Sequence, residues 1–242
     1  MKQVKIGCCG FAKGRNQYYS VFRLVEVQQT FYNPPSVDTA LRWRKEAPPD
    51  FEFTVKAWQL ITHPPSSPTY RRLGWEVPQS EREQYGLFRP TTEVLKAWER
   101  TKEVALALQA QVVVFQTPAS FTDCKENIEN MCRFFKRLGP ENFLFAWEPR
   151  GNWSNESVTL LCSELGLVHC VDPLEKVPLY GDWRYFRLHG GPTYRHKYTD
   201  EELHRLSTLV DRDSYILFNN INMYEDALKF KRLLELSDGC SA

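Results

Sequence analysis

The chain has 242 residues, 42% of them hydrophobic and 25% charged, which is ordinary globular usage and excludes disordered and fibrous classes. Its 31 lysines and arginines against 30 aspartates and glutamates leave a formal charge of +1. No field over the whole molecule therefore gathers nucleic acid, and any attraction for anions must be local. No run approaches the roughly 18 apolar residues of a membrane span, and the first residues lack the apolar segment of an export signal. The 7 cysteines show no C-x-x-C spacing, so they read as free thiols of a cytoplasmic protein rather than a zinc ribbon or redox motif. Aromatic residues, at 14%, fit a thick core or a cleft that stacks flat ligands.

Runs rich in β-branched and aromatic residues predict strands over 4–9 and 24–30. A helix over 36–47 follows, with Ser36 as N-cap behind Pro34 and Pro35. The third strand, 51–57, leads into an excursion from Thr62 to Pro90, rich in Pro, Arg and Tyr, which reads as an ordered loop or lid over one end of the fold. The longest helix, 91–110, sets Val94, Leu95, Trp98, Ala105 and Leu108 at helical spacing. Strand 112–117, helix 123–138, strand 143–149, helix 154–165 and strand 168–172 continue the alternation, with Asp123 and Ser154 as caps and Gly139 and Gly166 as stops. Only Pro173 to Asp182 separates that strand from the next, 183–189, too little for a full helix. Helix 200–210, strand 214–219 and helix 222–236, capped by Asn222, complete the chain. Eight strands alternating with helices predict an α/β parallel sheet, and eight is the number that closes a TIM-type (β/α)8 barrel. No G-x-G-x-x-G follows any strand, which disfavours an open doubly wound sheet, and residues 1–242 read as one domain.

Residues two apart in a strand share a face. Polar side chains thus oppose apolar ones at the strand ends: Glu26 against Val25 and Val27, Lys56 against Val55, Glu148 and Arg150 against Trp147. Asp172 opposes Val171, Arg187 and His189 oppose Phe186 and Leu188, Gln116 ends the fourth strand, and Asn219 and Asn220 end the eighth. These are C-terminal strand ends, where barrel enzymes hold their sites. Three carboxylates meeting three cations and a histidine form either a self-neutralising ionic plug or a site for a ligand. The cost of burying so many charges favours the site. Tyr32, in Phe31-Tyr32-Asn33-Pro34-Pro35, is a candidate for ring stacking, His63 opens the excursion, and Trp153 either walls the cleft or packs on a helix. Trp183 to Lys197 carries Arg184, Arg187, Arg195 and Lys197 without an acid, interleaved with Tyr185, Phe186 and Tyr194, a pattern suited to a phosphate backbone or sugar phosphate.

The motifs Glu26-x-x-x-Thr30-Phe31-Tyr32-x-x-Pro35, Phe53-x-x-Lys56 with Thr62-His63, and Gln116-x-Pro118 stand in this order. Glu148-x-Arg150-x-x-Trp153, Arg187-Leu188-His189-Gly190 with Tyr194 and Tyr198, and Asn219-Asn220 continue them. In order and spacing the set resembles the YecE-like family, domain of unknown function 72. The resemblance covers almost the whole chain and implies a TIM-type barrel with a polar cleft, but no settled activity. The family's barrel is similar to the endonuclease IV and xylose-isomerase group, which suggests nucleic-acid processing by fold analogy alone. This chain departs from the family at Gly7-Cys8-Cys9-Gly10-Phe11, where Gly-Thr-Ser-Gly and an aromatic are common, and at Gly190-Gly191, where many members have Gly-Arg.

Three functional readings follow. In the first, a hydrolase acts on a phosphodiester, nucleic acid included. Lys56, Arg150 and Arg187 clamp phosphate, Glu148 or Glu26 is general base, His189 is general acid, and Asp172 completes the acid–base set. In the second, a metal-free enzyme moves protons on a phosphorylated or carboxylated sugar-like metabolite. In the third, the protein binds an anionic ligand without turnover. Gln116, Tyr32, His63, Trp153, Tyr194, Tyr198, Asn219 and Asn220 join the three cations as substrate contacts. The partner is thus an anionic small molecule or nucleic acid, and not a membrane. With only His63 and His189 at strand ends, no zinc cluster and no cofactor is expected; one divalent ion at Glu26, Glu148 and Asp172 is the remaining metal reading. Glu148, ionised at neutral pH, is the expected base.

Overall fold

The computed structural model describes residues 2–139 and 142–239. Strands β1 (Val4–Cys9), β2 (Leu24–Val27), β3 (Glu52–Lys56), β4 (Val112–Thr117), β5 (Leu144–Pro149), β6 (Leu167–His169), β7 (Arg184–Leu188) and β8 (Ser214–Phe218) run parallel in one 8-stranded sheet, ordered β6-β5-β4-β3-β2-β1-β8-β7. The ends of that order meet through a single bridge, Val171 with Phe186, beside which Arg187 N donates to the Val171 carbonyl at 3.0 Å. The sheet is therefore a nearly closed TIM-type barrel with one thin seam, as expected from eight alternating strands. The seam lies where the chain has no helix between strands. There the connection is pinned instead by His169, whose N donates to the Tyr180 carbonyl at 3.0 Å and whose Nδ1 accepts from Leu179 N at 3.1 Å.

The helices are α1 (Arg15–Val21), α2 (Gln29–Tyr32), α3 (Val37–Glu46), α4 (Gln59–Thr62), α5 (Thr92–Leu108), α6 (Lys125–Leu138), α7 (Asn155–Leu165), α8 (Asp200–Leu209) and α9 (Met223–Gly239). Ser36 and Ser154 cap α3 and α7 by accepting from the third residue onward, and Gly139 and Gly166 terminate α6 and α7 as expected. Asp123 is a correction. Cys124 stands at the N-cap of α6 without a side-chain bond, because the Asp123 carboxylate reaches across to Ser154 N and Oγ at 3.1 and 2.9 Å. The second strand is also shorter than expected. It stops at Val27, where Thr30 Oγ1 donates to the carbonyls of Val27 (2.6 Å) and Lys56 (2.7 Å) and turns the chain into α2.

Strand alternation sorts the interior into two layers. Leu24, Val112, Val114, Ala146, Val168, Cys170, Tyr185 and Leu217 fill the bore. Outside the sheet, Phe88, Trp98, Phe115, Phe121, Phe134, Phe135 and Phe145 pack in edge-to-face and tilted pairs beneath α5 and α6, with centroids 5.1 to 5.9 Å apart in most pairs. Much of the aromatic excess is thus core. The N-terminal end of the bore is closed by Lys5 and Glu52, 2.5 Å apart, with Tyr215 Oη donating to Glu52 at 3.1 Å. Residues 62–90 form an ordered strap containing two 3-10 turns, Pro68–Arg72 and Gln79–Gln84. It is tied back by Gly86 N to the Leu60 carbonyl (2.8 Å) and Phe88 N to the Ile61 carbonyl (2.9 Å). Cys8, Cys9, Cys162 and Cys170 are buried free thiols, and Cys240 lies outside the described residues. Among the described residues no helix is long and apolar enough to cross a membrane.

Candidate functional site

The C-terminal ends of six strands deliver one connected polar network. Arg187, on β7 and fully buried, lies between two carboxylates: Nη2 donates to Glu26 Oε1 on β2 at 2.9 Å, and Nη1 donates to Glu148 Oε2 on β5. Glu26 is saturated beyond that pair. Gln28 Nε2 donates to Oε1, and Tyr185 Oη donates to Oε2 at 2.8 Å while contacting Thr54 Oγ1 at 2.7 Å. Glu148 has four partners, Arg187 among them. Gln116 Nε2 reaches Oε2 at 3.2 Å, and Oε1 takes Arg150 Nη2 at 2.7 Å and His189 Nε2 at 2.8 Å. Burial alone would raise the Glu148 pKa, but the charges of Arg187 and Arg150 and the hydrogen bond from His189 hold it well below the usual carboxylate range.

His189 is positioned from both sides. Its backbone N donates to Asp172 Oδ2 at 2.8 Å, and Asn219 Nδ2 stands 3.1 Å from Nδ1. A proton on Nε2, given to Glu148, leaves Nδ1 free to accept from Asn219. The opposite tautomer needs the Asn219 amide turned over and Nε2 accepting from Arg150 Nη2, 2.6 Å away. The opposite tautomer also sets the Nε2 lone pair against the ionised Glu148 Oε1, so the geometry holds the imidazole with its proton on Nε2. Tyr194, 42% exposed and at a φ of 59°, sets its ring edge to face against the imidazole at 5.5 Å. Arg150, with 34% of its side chain exposed, is the cation of the network that meets solvent.

Lys56, at the end of β3, belongs to the same network through a neutral partner. Its Nζ donates to Gln116 Oε1 at 2.5 Å and lies 3.6 Å from the centre of the Phe31 ring. Burial, and then the Arg187 charge, lower its pKa to about 7.

Glu26, Lys56, Gln116, Glu148, Arg150, Arg187, His189 and Asn219 converge as strand parity predicts. Asp172 joins at one remove: its carboxylate accepts from the backbones of His189 and Leu174, and burial raises its pKa. Other expected contacts lie in the frame. Tyr198 Oη accepts from Gly190 N at 2.7 Å, and Asn220 Nδ2 donates to Asp226 at 2.6 Å and to the His196 carbonyl at 2.7 Å. Trp153 packs outside the bore against Trp147, with Nε1 on the Phe121 carbonyl at 2.7 Å, because Trp147 faces the helices. His63 is buried against Phe31, and burial takes its pKa to about 3. Tyr32 is covered by the Arg72 guanidinium of the strap, 3.6 Å from its ring. Parity alone does not find Tyr185 and Thr54, since a strand tyrosine and threonine read as core until the Tyr185 hydroxyl is seen to meet Glu26 and the Thr54 hydroxyl to meet Tyr185.

The donor set does not fit a divalent ion at Glu26, Glu148 and Asp172. The space between the first two carboxylates holds a guanidinium that uses an oxygen of each, and the third is turned onto backbone N–H groups.

A DUF72 family protein from Thermotoga maritima has 23% identity, with 96% of this chain and 99% of that one covered, and a TM-score of 0.70. One from Enterococcus faecalis has 21% identity over 97% and 98%, with a TM-score of 0.71. Endonuclease IV from Thermus thermophilus is a more distant likeness, at 12% identity over 97% and 99% and a TM-score of 0.53. At these identities the likeness shows the fold alone. No curated protein matches the chain. The family model described as "Protein of unknown function DUF72" matches residues 12–240, nearly the whole length, and the chain belongs to that family.

Proposed function

We propose that the barrel mouth binds a phosphate-bearing ligand and hydrolyses a phosphodiester in it, nucleic acid included. The observation that carries the reading is the vertical order of charge. The carboxylates Glu26, Glu148 and Asp172 are buried and satisfied, while Arg150 faces outward. Arg195 and Lys197, exposed on the neighbouring loop, have no ion-pair partner among the described residues. An arriving anion meets cations first. Arg150 offers a planar fork for phosphate, and Lys56 supplies a second donor below it. His189 is the proton-transfer group, with its Nε2 proton held by Glu148 and its Nδ1 left to accept, whereas Glu148 is ionised too firmly to be a good base and orients the imidazole instead. The fold likeness to endonuclease IV adds analogy only.

Calorimetry of chelator-treated protein with inorganic phosphate and a short oligonucleotide, followed by hydrolysis of an activated phosphodiester, tests the reading. Arg150→Ala should weaken anion binding about tenfold to a hundredfold, the value of one or two charge-assisted hydrogen bonds. His189→Asn should abolish hydrolysis and leave binding in place. Absence of both phosphate binding and hydrolysis in the wild type would remove the proposal.

A further inference from the structure

Lys56 is out of place as a structural lysine. It is buried in a network containing two carboxylates, yet it pairs with neither. Glu26 and Glu148 spend their oxygens on Arg187, Tyr185, Gln28, Gln116, Arg150 and His189. What remains for the amine is an amide oxygen and a ring face. The Gln116 amide cannot simply turn away, because its Nε2 is committed to Glu148 at 3.2 Å while its Oε1 takes Nζ at 2.5 Å. The Phe31 ring, 3.6 Å from Nζ, is itself braced by the His63 ring at 4.9 Å. An amine held by neutral groups beside a buried guanidinium is kept where its uncharged, nucleophilic form is accessible at neutral pH.

We infer that Lys56 is a carbonyl-condensing amine, taking a small aldehyde or ketone presented at the barrel mouth as an imine. The Nζ lone pair forms the C–N bond while the carbonyl π pair moves to oxygen, which gains a proton. The nitrogen supplies that proton as the carbinolamine forms and then passes its second proton to the hydroxyl, which leaves as water while the nitrogen lone pair closes the C=N bond. No electrons are gained or lost overall. The charged and titratable groups facing the amine are Glu26 and Cys9 on β2 and β1, Glu148 and Arg187 on β5 and β7, and His63 beside Phe31. Arg187 and burial oppose the ammonium, Glu26, Glu148 and Cys9 favour it, and the balance leaves the lysine pKa at about 7. The inference needs only the amine and its access, and it does not rest on phosphodiester hydrolysis.

The intact protein, incubated at about pH 7.5 with pyridoxal 5′-phosphate or with pyridoxal and then reduced with borohydride, reports the imine as a stable mass on a mapped peptide. Lys56 should be modified at least about tenfold faster than Lys13 and Lys125, which lie at the surface in ion pairs with Glu225 and Glu129. Its labelling rate should level off above about pH 7, and Lys56→Arg should lose that peptide mass and no other. Faster labelling by the phosphorylated aldehyde supports the phosphate reading as well. Equal labelling by both supports the amine and removes the phosphate. Modification confined to exposed lysines, with Lys56 unlabelled by either aldehyde, would overturn the inference.

Discussion

Arg187 does two jobs with one residue. Its backbone N–H bonds across the seam to Val171, and its guanidinium ties β2 to β5 across the bore. A buried pair of this kind is weak evidence of net stabilisation, because desolvation offsets most of the Coulomb gain. Removing one partner is another matter, since it strands the remaining charges. Arg187→Met keeps the bulk and leaves two buried carboxylates without their shared cation. Urea unfolding should show a loss of about 3–5 kcal/mol. A loss under about 1 kcal/mol would mean that the carboxylates find protons or water without cost, and that the network is looser than its geometry. The same geometry revises the part assigned to Glu148 from the sequence. Strand parity correctly puts it in the mouth beside cations, but parity says nothing about how many cations share its two oxygens. Four donors on its two oxygens are why the function proposed above uses it as an anchor rather than as a base.

The loop between β7 and α8 places His189, and its backbone depends on Gly190. That residue has a φ of 68°, and an added Cβ would lie 2.6 Å from the Asn220 Cβ and 3.0 Å from the His196 carbonyl oxygen. Gly191, at a φ of 72°, meets nothing within 4 Å. Gly191→Ala therefore adds only left-handed backbone strain, about 1 kcal/mol, whereas Gly190→Ala adds a clash that must shift Asn220 or His189. Thermal melts with phosphate calorimetry should show Gly190→Ala losing both stability and binding, and Gly191→Ala losing a little stability alone. Identical behaviour of the two would show that the loop yields at Asn220. Elements such as this are where sequence reading stops. The strands and long helices were legible because their periodicity spans many residues and Ser36, Ser154, Gly139 and Gly166 mark their ends. Helix α1 was not legible: it has 7 residues, Gly14 at its N-cap offers no side chain, and no acid stands in its first turn. Nor was the early end of β2, which Thr30 enforces through a carbonyl of another strand.

At the scale of the whole molecule, strand alternation made most of the site readable, while the hydroxyls of Tyr185 and Thr54 and the outward turn of Trp153 depend on contacts made only on closure of the barrel. The buried titratable groups also set a pH profile. Below neutrality, His63 and His169, lowered to about 3 and about 4 by burial, bind their protons only on unfolding, so their contribution rises towards pH 6.5 and is flat above. Glu148, held low, likewise adds stability that is complete above its ordinary value of 4.5. Lys56 acts higher. Folded it titrates at about 7 and unfolded near 10.5, so between those values the unfolded chain holds the extra proton and stability rises with pH. Buried thiols oppose this. Cys8 and Cys162 are pushed up to about 12 and Cys9 and Cys170 well above 9.0, so above about pH 9 unfolding releases protons and stability falls. A maximum between about pH 8 and 9 is the expected outcome. Comparing wild type with Lys56→Met by urea unfolding at about pH 7 and about pH 9 isolates the lysine, because the thiols are common to both. The wild type should gain on the order of 2 kcal/mol relative to the variant over that range. Parallel profiles would mean that Lys56 keeps an ordinary charge in the folded protein, and that the Gln116 amide and Phe31 ring solvate it as well as water does.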